Sequence, residues 1–169
     1  MFSAIAISLR ATNWLNWIVA TLLTLFLCLL VADPDGFRDM VLSGFDAQTA
    51  AREAVTRYLI GILLLVIPTA IAVHYILTRL TDLVRDAAAG SAFTDTTSNR
   101  LRAIGWALLI INCADLLFGW LSVSASEATG EYFGWSLSLT GWIAVPMLFV
   151  LAQVFKEGAA MREDLEGTV

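Results

Sequence analysis

Four apolar runs, each about twenty residues long, decide what this chain can fold into. They cover residues 14–32, 58–78, 103–123 and 135–155, and none contains a lysine or an arginine. An α-helix needs about 20 residues to cross the roughly 30 Å hydrocarbon core of a bilayer, so each run is long enough to span. Lipid offers no hydrogen bonds to the backbone, which leaves helices or closed barrels as spanning structures. The runs are continuously apolar rather than alternating, and they therefore predict helices. The expected fold is all-α: a single integral membrane domain, an up-down-up-down four-helix bundle with short connections. Composition agrees, with 59% hydrophobic and 15% charged residues among 169. A soluble domain carries about 45–50% and about 25%, and a disordered chain still fewer apolar residues.

The polar punctuation divides the chain further. Asp33 and Pro34 end the first run, and residues 34–57 form an amphipathic, helix-compatible stretch. Gly44 is placed to break that stretch and Asp46 to cap its second half. The second run holds Pro68 and is expected to continue as a helix into water, ending at Gly90, a residue suited to a left-handed helix end. Thr94 is placed to cap the next helix, and Pro146 sits within the fourth run. Leu30 stands where a small residue is wanted before a leader cleavage site, so the first run reads as a retained helix. Seven basic residues (Arg10, Arg79, Arg85, Arg100, Arg102, Lys156 and Arg162) fall on one side of the four spans, against Arg38, Arg52 and Arg57 on the other. The positive-inside rule then predicts both termini in the cytoplasm. The loop 79–102 and the tail 156–169 join them there, and segment 34–57 lies outside.

The net charge of −5 argues against direct nucleic-acid binding, which asks for a basic surface. Cys28 and Cys113 lie inside apolar runs and read as small buried residues. The sole histidine, His74, precedes Tyr75 and Arg79 and reads as an interfacial side chain reaching toward headgroups, ahead of a pH sensor. No paired carboxylates, Ser/His/Asp set or metal-ligand spacing occurs in the sequence. The expectation is a protein that is not an enzyme and carries no cofactor or metal.

Asp115 is the exception to the apolar rule. It stands near the middle of the third run with Asn112 three residues before it, and that spacing predicts one shared helix face, continued by Gly105, Gly119 and Ser122. An aspartate at a span centre costs roughly 2.5–3.5 kcal/mol on insertion, so the stripe is expected to face the bundle. With no cation in any span, Asp115 is expected to be hydrogen-bonded, with Asn112, Thr24, Thr69 and Thr140 as partners by depth. The null expectation is an Asn112–Asp115 packing clasp; the sharper one is an intramembrane polar site for an ion, a proton or a polar ligand. Gly134 with Ser138 and Ser136 with Thr140 offer the small-residue spacing of a close helix contact, compatible with a homo-oligomer.

Two segments carry a resemblance. Gly90, Phe93, Thr94, Leu101, Arg102, Ile104 and Gly105 fit a Gly-x-x-Phe-Thr turn that leads into a Leu-Arg-x-Ile-Gly helix start. Val154, Phe155, Gly158, Glu163, Asp164, Thr168 and Val169 fit a characteristic tail, with Met161 where leucine is usual. Together they resemble a bacterial family of small four-span inner-membrane proteins known only as a domain of unknown function. The resemblance implies a bacterial inner-membrane location, with segment 34–57 periplasmic. It also implies genes often placed beside a small helix-turn-helix regulator of the Cro/C1 type, and it assigns no catalytic residue. Phe93, Arg102, Glu163 and Asp164 then become candidates for docking a cytosolic partner. The resulting expectation is a non-enzymatic sensing or regulatory membrane module; the alternative is a small oligomeric transporter or channel using Asp115 and Asn112.

Overall fold

The computed structural model describes residues 2–32, 36–43, 49–90 and 94–166, and the side chains of all of these except 2, 49–51 and 163–166. The apolar runs become four long helices: α1 (Phe2–Ala32), α3 (Thr49–Ala88), α4 (Asp95–Thr129) and α5 (Leu139–Glu166). A one-and-a-half-turn helix, α2 (Phe37–Leu42), follows α1. All four long helices are apolar enough and long enough to cross a membrane, and the chain is a multi-pass membrane protein with an all-α fold.

The boundaries follow from local chemistry. α3 runs through Pro68 without interruption and continues past its apolar part to Ala88, as the sequence predicts. Gly90 then takes a left-handed conformation (φ +77°). Thr94 caps α4: its backbone is extended and its hydroxyl oxygen accepts from the Thr97 amide at 3.2 Å. Thr94→Ala is expected to cost about 1 kcal/mol of stability, read as a lower unfolding midpoint in micelles. At its other end α4 closes on Gly130, also left-handed. The predicted break at Gly44 and cap at Asp46 lie outside the described residues, as do Asp33 and Pro34.

The helices pack in chain order. α1 packs on α3, α3 on α4, and α4 on α5, while every other pair of long helices makes at most a marginal contact. Each packed pair is antiparallel. Leu27 and Leu30 of α1 pack against Leu63 of α3, and the Phe26 ring meets Phe37 of α2 edge-on at 5.3 Å. Between α3 and α4, Arg100 pairs with Asp86 at one end, and Tyr58 stacks near Phe118 at the other. Between α4 and α5, the Ser98 hydroxyl donates to the Ala152 carbonyl at 2.7 Å, and Trp106 meets Phe149.

Small residues predominate in the interior beside a few leucines such as Leu30 and Leu63, and many large ones face outward. Ala20, Ala54, Ala70, Ala72, Gly105, Ala107, Gly119, Ser122, Ala125 and Ala152 are buried, whereas Trp14, Leu22, Trp106, Trp120, Ile143 and Val150 are exposed. Water would reverse that distribution. In lipid, where burial of apolar surface gives no driving force, close backbone approach and dispersion hold helices together, and small residues permit both. Cys28 and Cys113 belong to the outward set, contrary to the expectation of burial. A lipid solvent removes the reason for an apolar thiol to turn inward.

The fourth crossing departs from the predicted run. α5 begins at Leu139 rather than at residue 135, and residues 131–138 form an irregular segment that runs back along α4. Trp135 lies over Gly119, four residues inside the end of the third apolar run. Within this segment the Phe133 amide donates to Ser126 Oγ at 2.9 Å, and the Phe133 ring packs 4.8 Å from Tyr58. The apolar part of α5, residues 139–155, rises only about 25 Å. The helix itself continues beyond that part to Glu166 and is long enough to cross, with the irregular segment lying ahead of it.

Candidate functional site

The face of α4 that packs on α5 is built on a seven-residue repeat. Ser98, Gly105, Asn112 and Gly119 are all buried along it. They meet Ala152, Phe149, Gly141 and Trp135 in turn. At Gly119 a Cβ atom would collide with the Trp135 indole, and at Gly141 it would collide with the Asn112 carboxamide. Glycine at these two positions is therefore what lets the fourth crossing close on α4. Asn112 is 8% exposed, and its Nδ2 has no hydrogen-bond partner among the described residues. Ser122 Oγ and Trp135 Nε1 on the same seam are likewise buried and unpartnered.

Asp115 is not on this seam. It is half-buried and lines a groove of about 380 Å³ whose floor is α3 and whose walls are α1 and α4. The three-residue step from Asn112 to Asp115 turns the helix by about 300°, leaving the two side chains 60° apart. That angle is enough to place one against α5 and the other toward α3 and α1. No hydrogen bond joins them, and among the described residues nothing hydrogen-bonds or ion-pairs with the Asp115 carboxyl. The expected clasp is absent. Of the partners expected by depth, Thr69 shares the groove. Thr24 lines a separate furrow between α1 and α3, and Thr140 is exposed on α5.

The groove's other polar member is Asn16, which sequence reasoning missed. Its Nδ2 donates to the Ala70 carbonyl on α3 at 3.0 Å, leaving Oδ1 uncommitted. One turn away, His74 Nδ1 lies 2.8 Å from Asn13 Oδ1 and 3.2 Å from Trp17 Nε1. The first contact needs a proton on Nδ1 and the second needs that nitrogen bare, so the tautomer selects between them. His74 is thus held between α1 and α3 and does not reach for headgroups. The signal was present in the sequence: Asn13, Asn16 and Trp17 are spaced to share one helical face.

The candidate docking residues are dispersed. Arg102 is exposed on the first third of α4. Phe93 lies outside the described residues, and Glu163 and Asp164 fall in the last turns of α5 with side chains outside the description. At this end Arg100, 19% exposed at its side chain, pairs with Asp86, and Ser98 joins α4 to α5. No group of three or more His, Cys, Asp or Glu residues able to hold a metal occurs among the described residues.

A family model described as "Protein of unknown function (DUF2975)" matches residues 43–169, and the chain belongs to that family. The match spans α3, α4 and α5 and leaves α1 ahead of it. No curated protein and no solved structure matches the chain.

Proposed function

We propose that this chain is a non-enzymatic module of the bacterial inner membrane that takes its input in the Asp115 groove and passes it to a cytoplasmic partner. The observation that carries this reading is the position of Asp115: a carboxyl with no partner among the described residues, near the middle of the third apolar run, on the wall of an open groove. A structural acid would be tied down by hydrogen bonds, because an unpaired polar group in hydrocarbon costs several kcal/mol. Intramembrane acids that line a cavity mark ligand or ion paths. The lysine and arginine distribution supports a cytoplasmic position for both termini and for the α3–α4 connection. At that end Asp86–Arg100 and Ser98–Ala152 tie α3, α4 and α5 together, so a shift of one helix is shared by all three. Arg102 with Phe93, Glu163 and Asp164 is the surface offered to the partner, for which the neighbouring helix-turn-helix regulator is the first candidate.

The test is chemical. A lipophilic carbodiimide reaches carboxyl groups that open to the bilayer interior. The full chain in lipid nanodiscs is expected to gain one adduct, mapped to Asp115 by mass spectrometry, with labelling at least tenfold weaker in Asp115→Asn. An unmodified Asp115 under conditions that label a known intramembrane acid overturns the reading.

A second reading is an oligomeric transporter or channel using Asp115 and Asn112, since intramembrane acids that line a cavity also mark ion paths. Against it stands the separation of Asn112 and Asp115 onto different interfaces, which denies them a single shared site.

A further inference from the structure

The groove has a chemistry that selects its occupant. Asn16, Thr69 and Asp115 supply its polar side chains, and residues such as Val66, Ile111 and Phe118 supply apolar walls. Among the described residues the free polar capacity of the groove is mostly on the acceptor side, with the Thr69 hydroxyl its one free side-chain donor. The Asn16 amide nitrogen is spent on the Ala70 carbonyl, which leaves its oxygen. The Thr69 hydroxyl makes no hydrogen bond among the described residues, in contrast to Thr24, Thr56, Thr78 and Thr81, whose hydroxyls donate to carbonyls one turn back. The Asp115 carboxyl has no partner among the described residues, and none of those that line the groove is a lysine, arginine or histidine. A cation is what this site lacks, and a primary ammonium, with three N–H donors, matches three acceptor groups.

Size and access narrow the class further. About 380 Å³ lies at the small end of small-molecule sites. The mostly apolar walls do not provide the six or more oxygens that a calcium ion takes. α1 and α4 do not pack on each other, so the groove opens sideways between them at mid-membrane depth, where only a solute dissolved in the bilayer arrives. Phe118 presents an aromatic ring within the site, a further attraction for an alkylammonium.

We propose that the Asp115 groove binds a lipophilic primary amine, its ammonium held by Asp115, Asn16 and Thr69 and its hydrocarbon body against the apolar walls. This rests on the groove being the module's ligand site, and it names the ligand's class.

Dodecylamine, dodecyltrimethylammonium and dodecanol are the probes, added to the full chain in nanodiscs of phosphatidylcholine. Two readouts are taken: the thermal unfolding midpoint, and the rate of carbodiimide labelling at Asp115. Dodecylamine is expected to raise the midpoint of the wild type and to slow labelling at least tenfold. The quaternary amine is expected to act more weakly and the alcohol not at all. In Asp115→Asn the apparent affinity for dodecylamine, from the midpoint shift, is expected to fall at least tenfold. Asn112→Ala, altered on the other interface, is expected to keep it. Equal shifts with dodecanol, or equal shifts in wild type and Asp115→Asn, overturn the proposal. Brisk labelling that dodecylamine does not slow, with no midpoint shift, overturns the ligand class while leaving the groove as a site. Absence of both labelling and shift overturns both readings.

Discussion

Asp115→Leu is expected to make the third span insert more favourably, by about 3–4 kcal/mol, even though it alters the one conspicuous polar side chain in the groove. The figure combines the cost of aspartate at a span centre, about 2.5–3.5 kcal/mol, with the 0.3–0.6 kcal/mol that leucine returns. It holds because the carboxyl has no partner among the described residues to repay its transfer. Had Asp115 been clasped to Asn112, its removal would strand a buried amide and the gain would shrink or change sign. The measurement is the inserted fraction of residues 103–123 in a translocon assay, with the unfolding midpoint of the full chain in micelles as a second reading. A lower midpoint for Asp115→Leu would show a structural role for the acid. A residue kept at such cost is the mark of a site that trades stability for function.

Gly141→Ala is expected to destabilise the fold by about 1–3 kcal/mol, the range for overpacking a close-fitted interior. The added Cβ collides with the Asn112 carboxamide, which is buried in the α4–α5 seam and must shift to admit it. Asn112→Ala should rescue it. The amide forms no hydrogen bond through Nδ2, so its loss removes packing but no satisfied pair. In the double variant the new methyl group takes part of the vacated space. A double-mutant cycle is expected to give a coupling of about 1–3 kcal/mol, read from unfolding midpoints. Additivity of the two single effects would place Asn112 elsewhere than against Gly141.

The legible and illegible parts of the molecule divide along physical lines. Helix number, and caps such as Thr94 and the left-handed Gly90, are written in local sequence, because each depends on a few adjacent residues and one solvent. The polar residue of greatest interest, Asp115, was legible for the same reason: its transfer cost needs no neighbour to be computed. Its partners were not. Sixty degrees of helix rotation separate the α5 seam from the α1–α3 groove, and a three-residue spacing leaves open which side of that line each residue takes. His74 was misplaced because Asn13 and Trp17 come from another helix and leave no mark near residue 74. The fourth run was read as one helix because hydropathy records only transfer energy. The irregular segment 131–138 sets Trp135 over Gly119 of α4, a fit that hydropathy does not record. Cys28 and Cys113 were assigned inward by a rule that belongs to water.

Packing in chain order bears on how the protein is made. Each long helix after the first packs extensively on the long helix synthesised just before it, so every extensive interface forms between neighbours along the chain. Such a topology keeps loop-closure costs small and favours fast formation of each pair. As the ribosome delivers α3, α4 and α5 in turn, each has a completed surface to dock on, and no earlier helix waits for a distant one. The last step differs. The irregular segment 131–138 folds back along α4, and Trp135 finds its place over Gly119 only when α4 is already there. Vectorial synthesis supplies that order without a chaperone, and a circular permutation that delivered α5 before α4 would forfeit it.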